Sequence, residues 1–412
     1  MGLTMGARRE VTRATAARYR TATKKGKGQL LNEFCELTGY NRCYAAFLLR
    51  NYGKNRVVGK GSHVVKLVPV KRGRGPRGRP RKYGAELQKA LKGLWASFDF
   101  LCGKRLEPFL RTTLPLMKRH GEIVFAQPVY EQLLSISAST IDRLLAPEKA
   151  RMRLKGLSHT KPAALLQVQV PIRTWAEWDE IQEPGHVQMD LVGHDGGSSR
   201  GQFAFTLTVT DYFCQWTERR AVQNRAQRWV FQAIQEIRTA LPFPLKSIHT
   251  DSGGEFINLN LIDYCQKTGI RFTRSRPSRK NDNCLVEQKN YDTVRKIVGY
   301  LRYDTEGERA LLNQIYRLHC LLFNFLYPSQ RLVEKHREGS KVFKKHDEPS
   351  SPYQRLLDAE SVSKGLKLKL RAQYYQLHPL EISKQISRLQ DQLLKLAKQK
   401  RVSAGSLRVA SL

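Results

Sequence analysis

Three carboxylates in the middle of this 412-residue chain stand where chemistry could be done: Asp190, Asp251 and Glu287. Asp190 lies in Val187-Gln188-Met189-Asp190-Leu191-Val192, a short, largely apolar run that reads as one strand. Asp251 follows Leu245-Lys246-Ser247-Ile248-His249-Thr250, a second strand, and Glu287 sits near the start of a helix expected from about Leu285 to Leu301. Carboxylate oxygens are hard ligands. They suit Mg²⁺, which keeps positions open for water and a substrate phosphate. Two such ions, about 3.5–4 Å apart, can activate a nucleophile on one side of a phosphorus and stabilise the leaving oxygen on the other. Three acids brought together repel one another, and divalent cations remove that repulsion.

The elements that must position these acids are legible around them. Phe203, Phe205, Leu207 and Val209 alternate with Ala204, Thr206, Thr208 and Thr210 up to Asp211, and Trp216 to Val222 continues the pattern, so an antiparallel meander is expected. Gln227 to Leu241 is an amphipathic helix with Val230, Ile234, Ile237 and Leu241 on one face, ended by Pro242 and Pro244. Asn258 to Thr268 reads as a helix closed by Gly269, and Ile270 to Thr273 as a short strand. A polar loop, Ser275 to Asn283, then leads to the Glu287 helix. Strands, helix, strand, helix, strand, helix is an α/β layer with a mixed sheet.

Thirty-five residues separate Asp251 from Glu287. With Met189-Asp190, His249-Thr250-Asp251-Ser252-Gly253-Gly254-Glu255-Phe256 and Asn281-Asp282-Asn283-Cys284-Leu285-Val286-Glu287-Gln288-Lys289-Asn290, this resembles the D,D-35-E signature of retroviral-integrase-like transposases, in particular those of bacterial insertion sequences. The resemblance covers roughly residues 180–330. It implies an RNase H-like fold, with Asp190 bridging two Mg²⁺ ions (Mn²⁺ can substitute) and Asp251 and Glu287 each holding one. Two departures limit what carries over. Retroviral relatives have lysines four and seven residues past the Glu, where this chain has Tyr291 and Val294, and their zinc-binding His/Cys amino-terminal module is missing. Glu255 reads as a group near the site or a helix-start acid, Asp211 as a turn residue and Asp282 as a cap.

Charge suggests what the chain holds. Lys and Arg number 72 against 36 Asp and Glu, a net +36, which fits a polyanion partner. Residues 1–160 carry 33 bases and 10 acids, or +23 of that surplus. Within them, Leu30, Leu31, Phe34 and Leu37 mark one helix, Gly39-Tyr40 a break, and Asn41 the cap of a second helix with Ala45, Leu48 and Leu49 inward. That is a helix-turn-helix outline, with Arg42 and Tyr44 near the start of the second helix as DNA contacts. Seven of the twelve residues from Lys71 to Lys82 are cationic and interleaved with Gly and Pro. This run resembles an AT-hook, with Arg74, Arg77, Arg79, Arg81 and Lys82 available to a minor groove. A second helix-turn-helix reads from Val129–Leu134, a Ser135–Ser137 turn, and Ala138–Leu145 closed by Pro147, with Ser139, Thr140 and Arg143 exposed. Nearer the acids, Arg276, Arg279, Lys280 and Lys289 are candidate phosphate contacts, with Arg274, Arg295 and Lys296 close by.

The expected fold class is multidomain: α-helical helix-turn-helix modules, then an α/β RNase H-like catalytic domain, then a small helical C-terminal region. The expected boundaries are 1–70, a basic linker 71–83, 84–160, 175–330 and 331–412. Residues 309–327 read as an apolar helix, 335–350 as a polar linker, and Ile382, Ile386, Leu389, Leu393 and Leu396 as a short coiled-coil-like stripe that pairs either subunits or its own chain. Seven scattered cysteines without a CxxC pair exclude a zinc finger and suit free thiols in a cytoplasm. No apolar run is long enough to span a membrane, and no secretory leader is expected. The resemblance implies a cytoplasmic, nucleoid-associated transposase acting on double-stranded transposon ends and target DNA as a homodimer or larger assembly. A DNA-binding regulator with a dead catalytic domain and an RNase H-type nuclease are the alternatives.

Overall fold

A computed structural model describes residues 3–57, 64–66, 82–151, 181–251, 253, 255–276, 283–338 and 340–409. The AT-hook-like run up to Arg81, and Arg279 and Lys280, lie outside the described residues. The chain divides into two compact units, Met1–Arg81 and Lys82–Leu412.

The first unit is built on three helices: α1 (Met5–Thr21), α2 (Lys24–Thr38) and α3 (Arg42–Asn51), followed by the short strands β1 (Asn55–Val57) and β2 (Val64–Lys66). Gly39 ends α2 in the left-handed conformation at φ 70°, and the Asn41 side chain caps α3 by accepting from Tyr44 N. Ala16, Tyr19, Leu30, Leu31, Phe34, Ala45, Ala46 and Leu49 form its core. Two inward positions expected from the sequence differ. Leu37 is 58% exposed, and Ala46 rather than Leu48 is buried, because α1, which the sequence reading did not place, covers a slightly rotated face.

The second unit opens with α4 (Ala85–Ser97), α5 (Gly103–Arg119), α6 (Gln127–Ser135) and α7 (Ala138–Arg151). Pro147 does not close α7, which runs one turn further to Arg151; the proline forfeits one backbone hydrogen bond without stopping the helix. These helices do not stand as a separate module. Their apolar side chains belong to one core with the sheet that follows, Phe109 meets Tyr327 edge-on at 5.9 Å, and Arg105 Nε donates to Pro328 O at 2.6 Å.

The sheet contains β3 (His186–Gly193), β4 (Phe205–Asp211), β5 (Thr217–Val222), β6 (Ser247–Thr250) and β7 (Arg271–Arg274), in the order β5-β4-β3-β6-β7. The first three pair antiparallel, whereas β6 and β7 run parallel to β3. The parallel strands need crossovers, supplied by α8 (Gln227–Ala240) and α9 (Leu259–Thr268). The threonines of β4 do not mark a wet face: Thr206, Thr208 and Thr210 are as buried as Leu207 and Val209. Thr206 Oγ1 lies 2.8 Å from Tyr316 Oη, on the long helix that covers this face. A mixed sheet with helices packed on it, after a helical N-terminal region, is consistent with an RNase H-like fold.

The helix expected from Leu285 to Leu301 is interrupted. It is α10 (Cys284–Lys289), a π-helical turn (Asn290–Arg295) and α11 (Lys296–Val298), ended by Gly299 at φ 72°. Next comes α12 (Glu306–Phe325), started by a Thr305–Glu308 capping box. The expected polar linker at 335–350 is instead an antiparallel hairpin of β8 (Leu332–Glu338) and β9 (Lys341–His346). The remaining elements are α13 (Pro352–Asp358), α14 (Lys364–Tyr375) and α15 (Pro379–Val409). The Ile382–Leu396 stripe packs within its own chain, along α12, and Lys400 pins the pair by donating to Asp304 Oδ1 at 2.6 Å and Glu308 Oε2 at 2.8 Å. No helix among the described residues is long and apolar enough to cross a membrane.

The separateness of the two cores has a measurable consequence. Leu49→Ala should destabilise the first unit by about 2–5 kcal/mol. Hydrogen exchange should accelerate across Met5–Asn51 and stay unchanged in β3 and β4. Acceleration spreading into β3 would contradict independent cores.

Candidate active site

The sheet register places the first two acids. Parallel pairing matches Gln188 with His249 and Met189 with Thr250, so the next step puts Asp190, within β3, beside Asp251, just past the end of β6. Adjacent strands lie about 4.8 Å apart. Asp251 thus sits at the carboxyl end of β6, where chain leaves the sheet and backbone N–H groups come free. Gly253 N donates to Asp251 Oδ1 at 3.1 Å, and Leu191 N to Asp190 Oδ1 at 2.8 Å.

The third acid arrives on α10, and that helix is tied directly to β3. Val286 N donates to Gln188 Oε1 at 3.3 Å, and Asn283 Nδ2 to Met189 O at 3.4 Å. Asn290 Nδ2 donates to Asp190 Oδ2 at 2.6 Å. Asn290 is three residues past Glu287 and so shares its helix face. Glu287 is exposed, while Asp190 and Asp251 are half-buried.

Electrostatics bear out the crowding. Burial, then the neighbouring Asp251 carboxylate, and then Glu287 and Glu255, push Asp190 up to about 8. Burial, with Glu255 adding to it, raises Asp251 as well. Glu255 is therefore a fourth acid of this pocket, whose nearness the sequence spacing alone did not establish. Among the described residues, no three His, Cys, Asp or Glu side chains converge into a ready-formed metal cluster. The donor set still fits hard divalent cations: it is all carboxylate oxygen, and burial together with the neighbouring acids raises the Asp190 carboxyl.

A buried polar relay backs the Glu287 helix. Arg219, on β5, is fully buried; its Nη1 donates to Thr293 O in the π-helical turn at 2.5 Å and its Nη2 to Cys320 Sγ at 3.2 Å. Arg219 Nη2 also donates to His319 Nδ1 at 2.9 Å, and His319 Nε2 lies 2.8 Å from Asp99 Oδ2. An arginine can only donate, so His319 Nδ1 is the acceptor and Nε2 carries the proton toward Asp99. Burial and then Arg219 hold His319 below its usual value, so it stays neutral. Burial acts to raise Asp99, but His319, the Tyr327 hydroxyl and Arg219 together outweigh it and the carboxyl is lowered. Asp99, at φ 52° between α4 and α5, thereby links the preceding helices to the turn that carries Asn290. Neither the relay nor the π turn has a local sequence signature, since its members come from four elements.

The expected DNA contacts fare differently. Lys289 is 4% exposed, donates to Gln215 Oε1 at 2.9 Å and lies 5.2 Å from the Phe323 ring centroid. Burial pulls it down to about 7. It braces the β4–β5 turn and is not presented to a phosphate. Arg295 likewise donates to Gly193 O at 2.9 Å. Arg276 is half-buried beside β7. In the first unit Arg42 Nη1 donates to Asn32 Oδ1, and Tyr44 is 46% exposed, edge-on to Tyr40 at 5.1 Å. At the start of α7, Ser139 and Arg143 are exposed, whereas Thr140 is half-buried and accepts from Ser137 Oγ at 3.0 Å. Lys82 lies 5.5 Å from the Tyr83 ring centroid.

Two outcomes test this arrangement. Asp190 folds with its carboxyl raised, so the folded state holds a proton that the unfolded state has already lost. Stability should then fall as pH rises from about 4 to about 8. In chelator-treated protein, Asp190→Asn should raise the melting temperature by an amount that grows over that range and levels off above it; a pH-independent difference would refute the crowding. Arg219→Met leaves His319 Nδ1 and Thr293 O without their donor and should cost about 3–5 kcal/mol in urea unfolding. A change below about 1 kcal/mol would show that the relay is dispensable.

The family model described as Integrase core domain matches residues 181–280, which include Asp190 and Asp251. An uncharacterized protein, y4rM, of Sinorhizobium fredii is 34% identical over 353 residues, spanning 86% of this chain and 96% of its own length. Among solved structures, a chain of the simian T-cell lymphotropic virus intasome in complex with PP2A regulatory subunit B56 gamma is 18% identical, with a TM-score of 0.25; the match covers 43% of this chain and 57% of that one. The chain belongs to one family with y4rM, and its residues 181–280 match an integrase core domain, consistent with membership of the DDE transposase and integrase superfamily.

Proposed function

We propose that this protein is a DNA transposase that binds the terminal inverted repeats of its element, cleaves to expose 3′-OH ends and joins them to target DNA. The observation that carries the reading is the placement of Asp190 beside Asp251 with the Glu287 helix tied to the same strand through Gln188, Met189 and Asp190. Asp190, Asp251 and Glu287 would hold two Mg²⁺ or Mn²⁺ ions, which when bound supply activation of the attacking oxygen and charge stabilisation for the leaving 3′-oxygen.

The chain's own groups prepare the acids for that task. Leu191 N and Asn290 fix both oxygens of Asp190, and Gly253 N orients Asp251. The carboxylates need not swing into place when DNA arrives. Cleavage breaks a phosphorus–3′-oxygen bond with water as nucleophile. Joining uses the freed 3′-OH against a target phosphate and releases a target 3′-OH. Neither step requires a covalent link to protein, and the same three acids serve both.

In this reading α2–α3, with Arg42 and Tyr44, and α6–α7, with Ser139, Thr140 and Arg143, are the DNA-reading helix pairs. The run containing Arg74, Arg77, Arg79, Arg81 and Lys82 is a minor-groove contact, and Arg276, Arg279 and Lys280 grip phosphates near the scissile bond. Two ends must be held together for joining, so the active form is a homodimer or larger assembly on DNA, working at the nucleoid.

Strand transfer of labelled end oligonucleotides with Mg²⁺ or Mn²⁺ is the test. Asp251→Asn and Glu287→Gln should each reduce cleavage and joining to background while end binding persists. Full activity in either variant would refute the assignment. Cleavage without joining would indicate a nuclease, and end binding without either reaction a regulator. Asn290→Ala should lower activity about 10–100-fold and raise the Mg²⁺ requirement, as loss of a group that orients a metal-binding carboxylate does.

A further inference from the structure

The β8–β9 hairpin is a charged ribbon with a rigid root and no core of its own. Val333, Glu334, His336, Glu338 and residues 340–346 are exposed, including Val342 at 39% and Phe343 at 42%. A two-stranded hairpin is marginally stable by itself, so the root must hold it. Asp347 does this: it accepts from Arg331 N at 2.6 Å, Arg331 Nε at 3.0 Å and Arg355 Nη1 at 2.6 Å. Arg331 Nη1 reaches Phe213 O in the β4–β5 turn at 2.8 Å, and Arg355 Nη2 reaches Ser329 O at 2.6 Å. The arm therefore projects from the catalytic sheet at a set position.

Its two faces differ in charge. The register pairs Glu334 with Lys345, His336 with Phe343 and Glu338 with Lys341. That face is self-neutralised, with His336 stacked on Phe343 at 4.9 Å and lying between the two glutamates at 3.8 and 3.7 Å. Strand alternation assigns the intervening positions to the other face, where Lys335 pairs with Lys344 and Arg337 with Val342. The five bases and two acids of residues 332–346 leave +3, and all of it falls at Lys335, Arg337 and Lys344. Like charges directly opposite one another on a ribbon are destabilising. A neutral linker would gain nothing from this arrangement, whereas a row of phosphates would relieve it.

We infer that the β8–β9 ribbon is a DNA-holding arm whose Lys335/Arg337/Lys344 face lies on the sugar–phosphate backbone of duplex DNA, independently of sequence. The inference rests on the reading of the protein as a DNA-acting enzyme, and a two-stranded ribbon of this kind has the dimensions to enter a major groove.

The experiment compares two double variants of the full chain by anisotropy of a labelled random-sequence duplex over a salt series. K335Q/K344Q and K341Q/K345Q remove the same charge from opposite faces. The first should weaken binding about tenfold or more and lower the slope of log affinity against log salt by about 2; the second should change neither substantially. Equal losses in the two variants, or no loss in the first, would overturn the arm. Tighter binding of an RNA duplex than of DNA would overturn the choice of partner. A wild type with no DNA affinity would defeat the transposase reading and the arm together. A wild type that binds and joins DNA alongside an unaffected K335Q/K344Q would defeat the arm alone. Unchanged thermal unfolding confirms that each variant is folded.

Discussion

The structure turns on one electrostatic conflict: Asp190 and Asp251 emerge side by side from neighbouring parallel strands, with Glu255 and Glu287 close enough to add to the repulsion. Ionised together in a half-buried pocket, these groups oppose folding. The protein keeps them there with backbone register, which cannot relax one strand without unpairing the next, and with donors aimed at the carboxylates from Leu191, Gly253 and Asn290. Such a site is stable with a proton or a cation in it and strained without either.

Holding the third acid is harder, because Glu287 lies on a helix and not in the sheet. Here the interrupted helix is informative. A π-helical turn adds a residue to the ladder and commonly accompanies function. In this protein it brings Asn290 onto Asp190 and presents Thr293 O to Arg219. The Arg219–His319–Asp99 relay then carries the support back to the α4–α5 corner. A buried cation is expensive without partners; Arg219 Nη1 and Nη2 meet a carbonyl, a thiol and a neutral imidazole backed by a carboxylate, while Nε has no hydrogen-bond partner among the described residues. The helices before the sheet are thus part of the scaffold of the site.

The +36 charge is similarly resolved into places. Lys289 and Arg295 are consumed as internal ties, despite standing where a phosphate contact was expected. In the hairpin, which composition alone marks as linker, the register puts Lys335, Arg337 and Lys344 at positions of one face and the Glu334–Lys345 and Glu338–Lys341 pairs on the other. Burial and register, rather than the count of bases, decide which cations are available to a polyanion.

Much of the α/β layer was legible from local sequence. The five strands, α8 and α9 fall within about three residues of where alternation, helical periodicity and the Asn258 and Gly269 caps put them. The elements that carry the three acids were legible too, because strand and helix periodicity and a fixed spacing are properties of the chain. What the tertiary structure decided are relations between distant segments: that Glu255 joins the pocket, that Lys289 turns inward, that the Ile382 stripe packs on α12, and that residues 332–346 pair with each other. The physical reason is common to all of them. Periodicity reports which face of an element is apolar, but the partner of a buried charge or an open strand edge is chosen by three-dimensional proximity, which no local pattern encodes.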